Sequence, residues 1–255
     1  VEMSGEKRDM IDVCMPTWNS EEVIARTLDK LAISEEYTQV GVNKLILVDN
    51  LSDDDTIEVA KSKAVENDWS LFVERQESSL PRARQIALRF VETSWFLFLD
   101  DDVRITKGYL QKLTQCVAPS IGAVQGRKQS SNGEPWEWSQ RRVYRGGTHA
   151  TLIRTAAVND LSIPEGVEVL EDEYIRRHVE SAGYIWVFNH QARFSHNSME
   201  RHQLGWKQGY IAGKYDLMPF HSIALMIVDA IVKLKNPLNR ILLMVGYLYG
   251  YVDRG

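Results

Sequence analysis

The chain is poor in cysteine, carries no excess of positive charge and has no long hydrophobic run. Its two cysteines in 255 residues, Cys14 and Cys116, form no C-x-x-C pair and no secreted framework, so free thiols in a reducing compartment are expected. Lys and Arg number 30 against 35 Asp and Glu, a formal net charge of -5, which removes the general electrostatic basis for binding nucleic acid. No nucleic-acid partner is therefore expected. No apolar stretch reaches the roughly 20 residues a spanning helix needs. The longest, Ile223–Val232 and Ile241–Val252, are broken by Asp229 and by glycines. Val1–Asp9 is polar and lacks the apolar core of a secretory leader, so the expected location is cytoplasmic. None of the 16 glycines falls in a G-x-G-x-x-G or Walker A loop, which sets aside the common glycine-loop modes of phosphate binding.

What is present fits an ordinary globular protein, with 44% hydrophobic and 25% charged residues. The length suits one large core with an appended tail. Met10–Met15 reads as a buried strand closed by Pro16, followed by Asn19-Ser20-Glu21-Glu22 as the cap of a helix running to about Leu31. Lys44–Val48, Leu71–Glu74 and Trp95–Leu99 read as further strands, separated by helices at Thr56–Asn67 and Pro81–Glu92. Continuous apolar strands alternating with helices imply an α/β fold whose parallel sheet is covered on both faces. In such sheets ligands bind beyond the carboxyl ends of the strands, where the winding reverses. After Leu113 the alternation weakens, and Gln129–Arg145 is polar, aromatic and basic together, as in a loop or flap. Gly146-Gly147 then precedes a strand at Ala150–Ile153, a helix runs from about Glu171 to Ala182 with Ile175 and Val179 on one face, and Ile185–Phe188 is a last strand.

Two acidic clusters stand out. Asp100-Asp101-Asp102 closes the most apolar strand, where the mutual repulsion of three carboxylates is relieved by a divalent cation such as Mg2+ or Mn2+. A solvated acidic turn capping a helix fits the same residues. Glu171-Asp172-Glu173 opens a helix, where acidic side chains suit the positive end of the dipole. Read functionally, one of them is a general base.

Five segments, in this order, resemble the family 2 glycosyltransferases: Cys14-Met15-Pro16-Thr17-Trp18-Asn19-Ser20-Glu21-Glu22, Leu47-Val48-Asp49-Asn50-Leu51-Ser52-Asp53-Asp54-Asp55-Thr56, Pro81-Arg82-Ala83-Arg84-Gln85, Phe98-Leu99-Asp100-Asp101-Asp102, and Glu171-Asp172 through Gly183-Tyr184. The resemblance implies a GT-A (Rossmann-like) fold over residues 1–215, a C-terminal apolar helical tail over 216–255, and inverting transfer of a sugar from a nucleotide-diphosphate donor, UDP favoured. It implies donor binding by Pro16, Thr17, Trp18, Asn19, Asp49, Arg84, Asp100, Asp101, Gly147 and Glu171, with Trp18 stacking on the base and Arg84 near the diphosphate or base. It places Asp102, Asp100 and His196 around a Mn2+ or Mg2+ ion and makes Asp172 the base that deprotonates the acceptor hydroxyl. Trp136, Trp138, Arg201 and Lys207 are candidates for contact with the acceptor or diphosphate, although Trp136 and Trp138 equally fit a loop with two buried tryptophans. Two departures are visible: Asp49-Asn50-Leu51-Ser52 replaces the usual Asp-Asp-Gly-Ser, and Tyr174 replaces a frequent acidic residue.

The tail sets Lys233, Lys235 and Arg240 beside apolar runs that end in tyrosines. That pattern suits an in-plane helix at a membrane surface, hence a lipid-linked or membrane-proximal glycan acceptor. It equally suits a helix packed on the body or on a second subunit in a homodimer. Gly205, Gly209 and Gly213 recur every fourth residue and would let their helix approach a neighbour closely. Two other functions are weighed against transfer. A sugar-phosphate nucleotidyltransferase would want a glycine-rich basic loop after the first strand, which Pro16–Glu22 does not supply, and a catalytically inactive nucleotide-sugar-binding scaffold would not need both the acidic pair and Asp172.

Overall fold

The computed structural model describes residues 9–129, 146–196, 205–219 and 237–254, together with 221, 223, 224 and 228. Eight strands are β1 (Asp9–Thr17), β2 (Val40–Asp49), β3 (Ser70–Arg75), β4 (Trp95–Leu99), β5 (Val103–Ile105), β6 (Ile121–Lys128), β7 (Ala150–Arg154) and β8 (Ile185–His196). The helices are α1 (Glu21–Glu35), α2 (Thr56–Glu66), α3 (Leu80–Ala87), α4 (Tyr109–Thr114), α5 (Glu171–Ser181), α6 (Trp206–Lys214) and α7 (Pro237–Val252).

The period-2 geometry of the strands divides their side chains between two cores. Val13, Met15, Leu45, Leu47, Leu97 and Leu99 face α1, α2 and α4. Their neighbours Cys14, Ile46, Val48, Phe96 and Phe98 face α3 and α5, where Ile175 and Val179 share the buried face of α5. Both sheet faces are thus covered, which is why these strands carry continuous apolar runs. Cys14 and Cys116 are free thiols.

The sheet order is β3-β2-β1-β4-β7-β6-β8-β5. β1 to β4 are mutually parallel, as the alternating pattern requires. Beyond β4 the sheet is mixed: β7 runs antiparallel to β4 and β6, and β5 antiparallel to β8. The chain moves outward from β1 through β2 to β3 and then returns to the other side of β1, so a crevice opens at the carboxyl ends of β1 and β4. β6 escapes the sequence pattern because Gly122 and Gly126 look like turn residues. They serve close packing instead: a Cβ on Gly122 would stand 2.6 Å from Val179 Cγ1.

α6 and α7 pack as a pair through reciprocal glycines. A Cβ on Gly209 or Gly213 would overlap the carbonyl oxygen of Leu243 or Tyr247, and one on Gly246 or Gly250 would overlap that of Trp206 or Tyr210. Backbone therefore meets backbone, the geometry that small residues at four-residue spacing allow. A third apolar cluster forms beneath the pair from Leu170, Ile211, Ala212, Leu217, Met218, Ile223, Leu243 and Tyr247. Because the atoms opposite Gly209 are backbone, they cannot move aside. Gly209→Val is expected to lower stability by about 1–3 kcal/mol in urea unfolding; unchanged stability would show that the two helices separate without cost.

Candidate active site

Thr17–Ser20 after β1 and Asn50–Thr56 after β2 are stapled together at the crevice. Asn50 N donates to Thr17 O (2.9 Å), Asn19 N to Ser52 Oγ (2.8 Å), Asp53 N to Asn19 Oδ1 (3.0 Å) and Ser20 N to Thr56 Oγ1 (2.7 Å). Asp49 is wholly buried at the root of this turn and accepts bonds from Thr17 Oγ1 (3.3 Å), Ser52 N (3.0 Å) and Ser52 Oγ (2.5 Å), with Arg75 Nε at 3.4 Å. Its carboxylate organises the turn. Leu51, at the family's glycine position, keeps a glycine-like backbone with φ 57° and holds its side chain in solvent. An L-residue in that region costs about 1–2 kcal/mol. Trp18 is 63% exposed, so its indole is open to a flat partner. Pro16 lies within β1, paired with Val48.

Arg84 is the centre of the site. Its side chain is fully buried, and its two terminal nitrogens bind Asp100 Oδ1 (2.7 Å) and Glu171 Oε1. One guanidinium thereby ties the end of β4 to the start of α5. A buried cation of this kind is tolerated only when paired and hydrogen-bonded. Burial acts to raise the pKa of Asp100, but Arg84 and His149 more than offset it and hold the carboxyl well below the usual range.

The three acids of α5 have different environments. Glu171 serves Arg84. Glu173 is buried against Arg176 and accepts the Gly146 amide at 3.1 Å. Asp172 takes one hydrogen bond, from the Glu173 amide (2.8 Å), and no cation is bonded to it among the described residues. Burial first, and then the Glu171 carboxylate, push its pKa up to about 8, with Arg84 opposing. Gly146 lies so close that a Cβ there would stand 2.6 Å from Asp172 O. Gly147 accepts Thr151 Oγ1 on its carbonyl (2.5 Å).

Beside Asp100 is a residue that the motifs do not reveal, His149. The antiparallel register pairs Leu99 with Ala150, so the residues just beyond them, Asp100 and His149, face each other. Asp100 N donates to His149 O (2.9 Å), and His149 Nδ1 lies 2.6 Å from Asp100 Oδ2. The ring stacks on His196 with centroids 4.7 Å apart, and His196 Nε2 lies 3.0 Å from Asp102 Oδ1. Ligand atoms of Asp100, His149 and His196 all fall within 4.8 Å of one another, so they form a group able to hold a cation. Asp101 instead turns toward Ser20 Oγ; burial, reinforced by Asp100 and Asp102, raises its pKa to about 7 despite that hydrogen bond. Lys207 pairs with Glu168 on the chain leading to α5. Trp136, Trp138 and Arg201 lie outside the described residues.

A parallel-centred sheet covered on both faces, with carboxylates and imidazoles gathered where its winding reverses, is the setting in which open α/β sheets bind their ligands. The chain belongs to glycosyl transferase family 2, whose profile matches residues 12–179. No curated protein matches the chain closely enough to count as a relative. Among solved structures, it is similar to a mannosyltransferase from Pyrobaculum calidifontis, PcManGT, in complex with GDP-Man and Mn2+ (TM-score 0.64, 17% identity, 98% of this chain and 76% of that one). It is also similar to S. aureus TarS 1-349 in complex with UDP-GlcNAc (TM-score 0.60, 18% identity, 96% and 73%). A third is glucosyl-3-phosphoglycerate synthase from Mycobacterium tuberculosis with Mn2+ and UDP-Glc (TM-score 0.53, 14% identity, 76% and 72%). Of a longer TarS structure the chain covers 43%. At these identities the likeness is one of fold.

The role of Arg84 has a direct consequence for stability. Arg84→Met removes the one Arg or Lys side chain that, among the described residues, pairs with both Asp100 and Glu171, and should cost about 3–5 kcal/mol. Denaturant unfolding measures this; a loss below about 1 kcal/mol would mean that the two carboxylates are satisfied without it.

Proposed function

We propose that the protein transfers a sugar, with inversion, from a nucleotide-diphosphate donor to a hydroxyl of a glycan or lipid-linked acceptor. The observation that carries this reading is Asp172, which among the described residues is the one acid of its cluster without a bonded cation, beside a second acidic cluster joined to its own through Arg84. UDP is the favoured nucleotide: TarS is seen with UDP-GlcNAc and the mycobacterial synthase with UDP-Glc, whereas PcManGT is seen with GDP-Man. Trp18 offers its exposed ring to the base, Thr17, Asn19 and the Asp49 turn border the nucleoside, and Asp100 and Asp101 approach the ribose and diphosphate. Asp172 accepts the acceptor's hydroxyl proton as that oxygen bonds to the anomeric carbon. The bond to the diphosphate breaks on the opposite face, and its electron pair leaves with the nucleotide.

The converging group of Asp100, His149 and His196, with Asp102 paired to His196 beside it, could hold a divalent cation. Its mixture of carboxylate and imidazole suits Mn2+ better than Mg2+, which favours oxygen ligands. Such an ion, when bound, neutralises charge developing on the leaving diphosphate. Both PcManGT and the mycobacterial synthase are seen with Mn2+.

The residues 216–255 are read as a tail that lies on a membrane surface or packs on a second copy of the chain. Among the described residues no helix is long and apolar enough to cross a membrane. On α7, however, Leu238, Ile241, Leu242, Val245, Leu248 and Val252 are exposed at helical spacing, while Tyr249, also exposed, lies against the Trp206 and Tyr210 rings of α6. A stripe of this kind suits the headgroup boundary or the same stripe of a second copy.

Incubation with UDP- and GDP-sugars plus Mn2+ should give product or slow donor hydrolysis. Asp172→Asn should lower kcat about 100-fold or more while donor affinity is retained. Because a carboxyl with a raised pKa is protonated below it, kcat/KM for the donor should rise with pH and level off above about 8. A flat profile from pH 6 to 9, or activity indifferent to both Asp172→Asn and chelators, would contradict the mechanism.

A further inference from the structure

Leu170 immediately precedes the acidic pair and caps α5 in the left-handed region, with φ 65°. It is neither glycine nor asparagine, and its side chain makes no capping bond. A leucine keeps this conformation only where its surroundings over-determine it. Those surroundings are the C-terminal helix pair: Leu170 is 4% exposed and buried in the cluster built by Ile211, Leu243 and Tyr247. Two ion pairs bracket the contact, Lys207 with Glu168 before it and Arg177 with Asp216 after it. Leu170 O accepts the Tyr174 amide at 3.0 Å, so its backbone conformation sets how the first turn of α5 starts.

We infer that the α6–α7 pair positions Asp172 for proton transfer by clamping Leu170, and that Leu170 is a positioning residue of the transfer reaction. This rests on Asp172 being the base. The pair would then be part of the catalytic apparatus, whether or not its outer stripe also meets a membrane. Misplacement of a base by a fraction of an ångström is enough to cost about tenfold or more in rate.

Leu170→Gly tests this without forcing the backbone, because glycine adopts the left-handed region freely and the change removes only the clamped side chain. The expected result is a kcat reduced about tenfold, with UDP affinity and KM for the donor within about twofold of wild type. Amide hydrogen exchange should quicken over residues 171–175. Leu170→Met, which refills the cluster, should restore kcat to within about threefold. Leu243→Val, remote from the crevice, should reproduce a smaller fall in kcat together with faster exchange over the same segment. If the wild type turns over and Leu170→Gly does so at the same kcat, the inference is overturned alone. If the wild type is inert toward every sugar nucleotide, the proposed function falls and this inference with it.

Discussion

The buried guanidinium of Arg84 is the constraint around which the crevice is arranged. Removing a cation from water is costly, and only two well-placed carboxylates make it tolerable. Asp100 comes from the end of β4 and Glu171 from the start of α5, segments 71 positions apart in the chain, so pairing both with one side chain of α3 fixes three elements relative to each other. Asp172 inherits its place from that pairing. Its neighbours on either side are committed to arginines, which leaves it, among the described residues, as the acid of α5 with a raised pKa and no bonded cation.

The five motifs are legible because each joins an apolar strand or helix start to a polar turn, and the strands that matter most are continuous hydrophobic runs. β1 to β4 follow from that pattern nearly to the residue at Trp95–Leu99. The later half is harder to read. β6 carries two glycines for close approach, and β8 continues past Phe188 through a polar stretch ending at His196, with alternating exposure at one side of the sheet. His149 is invisible in sequence for a related reason. Its role follows from antiparallel register with β4, and nothing local marks it as a partner of Asp100. Arg84 was legible as a site residue on its motif, whereas the ion pairs that occupy it follow only from the tertiary arrangement.

Two leucines in left-handed backbone, Leu51 and Leu170, flank the crevice, one in the turn after β2 and the other at the start of α5. One is held by a turn stapled to β1, the other by apolar packing against the C-terminal helices. Both show a common pattern in which local strain is stored next to chemistry and is stabilised by packing elsewhere. The apolar excess of the last 40 residues also gains a partial explanation. Its inner face encloses Leu170, and its outer face is the exposed stripe of α7.

The central claim is that Arg84 couples Asp100 at the end of β4 to Glu171 at the start of α5. A double-mutant cycle on unfolding free energy, with Asp100→Asn, Glu171→Gln and the pair together, measures this most directly. The account predicts a coupling of about 1 kcal/mol or more, since the two side chains meet only through the guanidinium they share. Additivity to within about 0.3 kcal/mol would contradict it and leave the two acidic motifs energetically independent.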